Sequence, residues 1–309
     1  MREAIENAGR IALIVHVDPD PDTMGSACAM YAHLLRLQKK VTLFCATPVN
    51  DTRLGVIPWS EKTTGRWDVK AELAIAFDCA TSARMGVQPH CPLVNVDHHP
   101  GNDGYGDIAM LDAGAPSTGS ILYGWFKKEG IAVNAKMATA LYAALADDTL
   151  GFARMNDAAR VFDEAAELAK AGADVSAVNE ALFRRRPLAS LRLKGELFLR
   201  LRLVDDARIA VLCADRALFE RTGASSEAAE DALDEVLGLP TVRAALLLRV
   251  RPDGSVKGSL RAKPGIDVSH TAVLLGGGGH AFAAGFVIQG MPLDEACEHV
   301  VTIMKKEMK

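Results

Sequence analysis

The sequence predicts an α/β protein with a parallel-sheet N-terminal domain and a smaller α/β C-terminal domain. Three observations carry that prediction. Four short apolar runs, at 11–17, 41–46, 73–78 and 93–98, alternate with stretches of helical spacing, the pattern of a parallel sheet with helical crossovers. The chain has 309 residues, and a domain ordinarily takes about 100–200, so two domains are expected. Finally, Arg184-Arg-Arg-Pro-Leu188 interrupts a long helical stretch, and strand-like runs resume beyond it.

In order, 11–17 reads as a buried strand, and apolar spacing from Thr23 to Leu37 as a helix. Strands at 41–46, 73–78 and 93–98 follow, and from Ser117 to Phe183 the pattern is helical, with breaks near Gly130 and Gly172. This first domain is placed at 1–183, a linker at 184–190 and the second domain at 191–309. There, 208–214 and 242–250 read as strands, Arg251 to Gly254 as a turn, and 255–263 as the returning strand of a hairpin.

The net charge is −4, which argues against a non-specific binder of duplex nucleic acid. Residues 1–183 hold 16 basic and 23 acidic side chains, and the remainder 19 and 16, so an acidic half that could host cations precedes a mildly basic half that could receive an anion. The six cysteines are scattered, with no C-x-x-C pair, and read as reduced thiols. The acidic start is not a secretory signal, and the early apolar run Ile11 to Val15 is far below the ~18 residues that span a bilayer. A cytoplasmic protein without a membrane partner is expected.

Chemistry-bearing residues gather at the ends of the predicted elements. His16, Asp20 and Asp22 follow the first strand, where parallel sheets place their ligands. Pro19 and Pro21 favour an extended segment in which Asp20 and Asp22 project the same way, and Gly25 and Ser26 allow close packing as the helix begins. A helix-capping loop is the plainer alternative for this segment. Asp78 ends the third strand, and Asp97-His98-His99 ends the fourth. Adjacent histidines cannot both face one way, so one suits a metal and the other a substrate. An aspartate beside them suits orientation of an imidazole. Asp147 and Asp148 close a helix whose C-terminal dipole opposes them, so they call for a cation or for solvent. Mixed carboxylate and imidazole donors without thiolates point to Mn²⁺ or Mg²⁺. They are too many for one ion, and a pair about 3.5–4 Å apart sharing a carboxylate serves phosphoryl chemistry.

These motifs resemble those of the DHH phosphoesterases, named for the triplet present here as Asp97-His98-His99, and the likeness extends over essentially the whole chain. The family's first motif corresponds to His16 through Ser26, its strand-end aspartate to Asp78, and its fourth motif to Asp148, Thr149 and Phe152. The resemblance implies that His16, Asp20 and Asp78 bind one ion and that Asp22, Asp78, His98 and Asp148 bind a second, with Asp78 bridging. Asp147 is the competing choice for Asp148. His99 would face the scissile phosphate, with Asp97 behind it. Ser117 and Thr118 resemble a neighbouring family element, and helix capping explains them equally well.

In the second domain, Ser259 and Arg261 on one strand and Gly277-Gly278-Gly279-His280 in a glycine-rich loop resemble the DHH-associated C-terminal domain, which holds the nucleotide end of the substrate. Backbone N–H groups in glycine runs and a guanidinium on a strand suit that role. The expected enzyme is a Mn²⁺ phosphoesterase with two ions, Mg²⁺ or Co²⁺ substituting. It would act in the cleft between its domains on short RNA oligonucleotides and 3′-phosphoadenosine 5′-phosphate (pAp). At this length no room is expected for the extra nucleic-acid-binding domain of RecJ-type exonucleases. A cyclic di-AMP or linear-dinucleotide phosphodiesterase is the enzymatic alternative and a nucleotide-binding sensor the non-enzymatic one. Homodimerisation is left open.

Overall fold

The computed structural model describes residues 1–307. The chain divides into two units, one ending at Arg185 and the next beginning at Arg186.

The first unit is built on six parallel strands: β1 (Arg10–Val15), β2 (Lys40–Phe44), β3 (Thr63–Thr64), β4 (Leu73–Phe77), β5 (Leu93–Asp97) and β6 (Ile108–Leu111). Their spatial order is β3-β2-β1-β4-β5-β6, and every neighbouring pair is parallel. The order therefore reverses between β1 and β4, and the carboxyl ends of those two strands flank the crevice where open parallel sheets bind ligands. The helices are α1 (Arg2–Asn7), α2 (Pro21–Arg36), α3 (Thr118–Lys128), α4 (Ala135–Asp148), α5 (Ala158–Lys170) and α6 (Val175–Asn179).

Why the strands read as unbroken apolar runs is now clear, because both sheet faces are covered. Ile11, Leu13, Val15, Ile75 and Phe77 pack with α2 and α4, while Ile14, Ala74 and Ala76 face a smaller cluster with Phe44, Cys79 and Met85. Helices α2 and α4 pack tightly at Gly25 of α2, where a Cβ would come within 2.3 Å of the Ala140 carbonyl oxygen of α4. The helical stretch expected from Ser117 to Phe183 also breaks at 149–157, just after the two aspartates, where Leu150 and Phe152 both take positive φ.

The second unit holds a mixed sheet. Its strands are β7 (Arg202–Val204), β8 (Ile209–Ala214), β9 (Ala244–Val250), β10 (Val256–Ala262), β11 (Gly278–His280) and β12 (Ala283–Ile288), in the order β11-β12-β10-β9-β8-β7. Only β8 and β9 pair in parallel, and the expected hairpin is β9–β10. Helices α7 (Leu188–Leu199), α8 (Arg216–Thr222) and α9 (Asp231–Leu237) lie with one face of the sheet, α10 (Ser269–Leu274) and α11 (Leu293–Glu307) with the other. The expected linker, 184–190, runs into the first residues of α7. No helix among the described residues is long and apolar enough to cross a membrane.

Candidate metal centre

Local structure sends Asp20 and Asp22 apart. Pro21 opens α2, because its fixed φ and missing N–H suit the first helical position. Asp20, extended at φ −105°, becomes the N-cap and accepts from Thr23 N at 3.0 Å. Asp22 lies one residue inside the helix and is fully buried. The extended segment expected to project both carboxylates alike is thus corrected: helix initiation at Pro21 turns them to different groups.

The first group is His16, Asp20 and Asp78. His16 Nε2 lies 3.2 Å from Asp20 Oδ2 and 3.6 Å from Asp78 Oδ2. The second is Asp22, His98 and Asp148. His98 Nε2 lies 3.0 Å from Asp148 Oδ2, 3.8 Å from Asp22 Oδ2 and 3.6 Å from Asp78 Oδ1. Asp78 therefore turns one oxygen to each group. It sits at the end of β4 with φ +58°, a conformation that non-glycine residues rarely hold and that buried surroundings must enforce.

Strand and helix termini hold these carboxylates in place. Thr23 Oγ1 donates to the Phe77 carbonyl at 2.8 Å, tying α2 to the end of β4. Ser117 is the N-cap of α3, accepting from Ser120 N at 3.0 Å. The next two amides, Thr118 N and Gly119 N, donate to Asp22 at 2.7 and 2.9 Å, and Thr118 Oγ1 donates to Asp78 Oδ1 at 2.9 Å. Capping and site-building, which the sequence left as alternatives at Ser117 and Thr118, are divided between the two residues.

The electrostatics calls for positive charge. Burial, then the charges of Asp148, Asp78 and Asp20, push the Asp22 carboxyl well above the carboxylate range, although the Gly119 amide opposes this. Burial alone would lower His16, but hydrogen bonds to Asp20 and Asp78 outweigh it and push it up to about 9. His98 likewise rises to about 9, with Asp148 as the leading partner against burial. Asp148 Oδ2 is buried and meets no donor in hydrogen-bonding geometry among the described residues. A cluster of four carboxylates and two imidazoles with an unmet acceptor and no thiolate fits hard divalent cations.

Asp97, buried, accepts from His99 Nδ1 at 2.7 Å and from the Asn102 side chain. Burial would raise its carboxyl, but these hydrogen bonds outweigh it and lower it. His99 is half exposed and is pushed up chiefly by the Asp97 bond. Its Nδ1 is also 3.4 Å from Asp78 Oδ1. Sequence reading missed two participants. Asn102 braces Asp97 and also donates to the Cys79 carbonyl at 3.2 Å. Arg84 Nη2 lies 2.7 Å from His16 Nδ1, which is also 2.8 Å from the Val17 carbonyl. A guanidinium has no acceptor, so Nδ1 can serve only one of them, and donation to Val17 is the choice that leaves Nε2 its lone pair. Asp147, pushed up to about 7 first by burial and then by Asp20, borders both groups without joining either. No local pattern marks Asn102 or Arg84, since each works through contacts distant in sequence.

With this geometry in hand, comparison with known proteins decides the relationship. The DHH family, N-terminal domain, matches residues 10–145, and the DHHA1 domain matches residues 208–308. The chain belongs to the DHH family. It is a phosphoesterase, a hydrolase of phosphate ester bonds. The bifunctional oligoribonuclease and PAP phosphatase NrnA of Thermus thermophilus is 29% identical over 303 residues, covering 97% of this chain and 90% of that protein. The protein of that name from Bacillus subtilis is 27% identical over 281 residues, covering 89% and 88%. The crystal structure of an exopolyphosphatase-related protein from Bacteroides fragilis shares the fold, with a TM-score of 0.86 at 20% identity over 99% of this chain and 94% of that one.

In the DHHA1 domain the expected loop is corrected to a strand. Gly278 to His280 form β11, paired antiparallel with β12. The glycines answer to that packing: a Cβ on Gly277 would come within 2.1 Å of the Gly285 carbonyl oxygen, and Gly279 holds φ +143° against Ala284. His280 is exposed and stacks on Phe282 at 6.1 Å between ring centroids. Arg261 is one-third exposed. Ser259, by contrast, is buried and donates to Glu230 Oε1 at 2.7 Å.

Proposed function

We propose that this phosphoesterase is a Mn²⁺ enzyme with two ions that hydrolyses short oligoribonucleotides and pAp. The observation that supports this most is the pair of carboxylate–imidazole groups sharing Asp78 at the sheet's switch point, in a chain similar over almost its whole length to oligoribonuclease and PAP phosphatases. His16, Asp20 and Asp78 would hold one ion, and Asp22, Asp78, His98 and Asp148 the other. Such ions supply an activated water and neutralise phosphoryl charge. The remaining roles fall to the chain's own groups. Asp97 commits His99 Nδ1, so Nε2 is the nitrogen left to meet the phosphoryl group and to hold the proton for the leaving oxygen. Thr118 and the α3 amides keep Asp22 and Asp78 in place as substrate arrives. Arg261 and His280 are assigned to the anionic far end of the substrate on their charge and exposure, with β11 offering backbone N–H groups beside them.

The test is kcat/KM with Mn²⁺ across pAp, an RNA length ladder, cyclic di-AMP, polyphosphate and pyrophosphate, at two salt concentrations. Rates should peak on pAp and on RNA of roughly two to five nucleotides and fall steeply beyond, with a shallow salt slope, because few phosphates are engaged. A flat or rising profile beyond about ten nucleotides with a steep salt slope would overturn the proposal. So would preference for cyclic di-AMP, polyphosphate or pyrophosphate.

A further inference from the structure

Cys213 and Cys297 are 84 positions apart in the chain and meet within the DHHA1 domain, with 3.5 Å between their sulfurs. Strand register brings them together. On β8, Ile209, Val211 and Cys213 alternate toward the apolar layer formed with α11, whose buried face includes Cys297. On the edge strand β7, Arg202 pairs opposite Val211 and so leaves the same face. Its Nη1 lies 3.4 Å from Cys297 Sγ, and its Nη2 donates to Glu298 at 2.6 Å. The residues assigned to substrate lie elsewhere. Ser259 and Arg261 pair with Leu247 and Ala245, which pack on the opposite face, and β11, with His280, is the other edge of the sheet.

The Cys213 S–H donates to Cys297 Sγ. That bond, against burial and with the Arg202 charge beside it, brings the Cys297 thiol below its ordinary range, while Glu298 and Asp294 act the other way. Cys213 is pushed up by the same bond and then by burial. The pair is thus poised as one thiolate and one thiol, the combination through which disulfides form. By contrast, burial pushes the Cys28, Cys79 and Cys91 thiols up, and no other two cysteines are hydrogen-bonded to each other among the described residues. Cys297 is buried, but Cys213 is partly exposed, and the Arg202 side chain against Cys297 is 48% exposed. The two sulfurs therefore lie one side chain beneath the surface.

We propose that Cys213 and Cys297 form a reversible intrachain disulfide when the protein meets a hydroperoxide. The Cys297 thiolate attacks the O–O bond and keeps one oxygen as a sulfenic acid, while the other leaves, with a proton from solvent, as an alcohol. The Cys213 sulfur then attacks the sulfenic sulfur, and its proton leaves with the displaced hydroxide as water. Two thiols and one hydroperoxide give one disulfide, one alcohol and one water, or two waters where the oxidant is hydrogen peroxide. Bond formation closes the sulfurs from 3.5 Å to about 2.05 Å and fastens α11 to β8, and a dithiol reductant reverses it.

The experiment treats the reduced full chain with hydrogen peroxide in the presence of a metal chelator and counts free thiols after denaturation. Neither substrate nor bound ion takes part, so the outcome is independent of the oligoribonuclease reading. Free thiols should fall from six to four with the loss of two hydrogens from the intact mass, and dithiothreitol should restore six. Peptide mapping should join Cys213 to Cys297 within one chain. Cys213→Ser should stop with one added oxygen on Cys297. Cys297→Ser should react about tenfold more slowly than the parent, and Arg202→Gln should slow disulfide formation several-fold, with circular dichroism as the control for folding. Six thiols remaining after a treatment that fully oxidises free glutathione overturns the proposal, as does a disulfide mapped to any other cysteines. A rate in Arg202→Gln equal to that of the parent overturns the part assigned to the guanidinium.

Discussion

Thr118 N–H donates to Asp22 Oδ2 at 2.7 Å across 96 positions of the chain. The N-terminus of α3 thereby receives the most buried carboxylate of the candidate metal centre, and the Thr118 hydroxyl reaches its neighbour Asp78. One residue thus orients members of both groups. Thr118→Val keeps the shape and the backbone amide but removes the hydroxyl. Loss of such a supporting contact ordinarily costs about 10–100-fold in metal affinity or activity. Mn²⁺ titration should show that loss with the fold intact, and unchanged affinity and turnover would refute the supporting role.

Asp78 offers one oxygen to each group, so Asp78→Ala should abolish occupancy of both sites and lower kcat by more than about a thousandfold if the ions supply the chemistry. Metal content of the purified variant, with circular dichroism as the control for folding, checks this. Retention of two ions per chain would remove Asp78 from the bridging position.

Gly25 fixes the approach of α2 to α4. In Gly25→Ala the new methyl group would meet the Ala140 carbonyl, and the helices must part. Overpacking of this kind costs about 1–3 kcal/mol. Because Asp22 lies on the same helix and Asp148 closes α4, metal affinity should fall together with the midpoint of urea unfolding. A variant as stable as the parent would show that the contact has slack.

Glu164, 8% exposed, accepts from Ser120 Oγ at 2.8 Å and is pushed by burial from its ordinary value of 4.5 up to about 7. Between those values the folded chain holds a proton that the unfolded chain has released. Stability contributed by this group therefore falls as pH rises through that window, and the penalty is complete above it, on the order of 3 kcal/mol. Glu164→Gln should match the parent near pH 5 and exceed it near pH 8. Thermal melts at the two pH values measure this, and an equal gap at both would exclude the linkage.

Arg261→Ala should leave metal content unchanged and weaken use of a dinucleotide by about tenfold to a hundredfold, the loss of one charge-assisted phosphate contact. A small synthetic phosphodiester with no second phosphate should be hydrolysed almost as well by the variant. Equal impairment on both substrates would show that Arg261 does not act by gripping substrate.

The strands of the parallel sheet, the β9–β10 hairpin and the acids and histidines at element ends were legible in the sequence, because burial on both faces writes a continuous apolar run and a turn writes Arg251-Pro-Asp-Gly254. The strand β11 was not. Four glycines before a histidine carry no hydrophobic pattern, and only the approach of β12 shows why side chains are excluded there.

By itself, the sequence determined the α/β class, the family and the inventory of carboxylates and imidazoles, since these depend on local pattern and on the order of motifs. Tertiary structure alone decided how that inventory is divided. Asp20 and Asp22 are two residues apart but enter different groups because Pro21 starts a helix between them, and Asp78 reaches both because β4 lies beside β1 at the reversal of strand order. Asn102 and Arg84 acquire their roles only through partners remote in sequence, and those are not written in the residues that flank them.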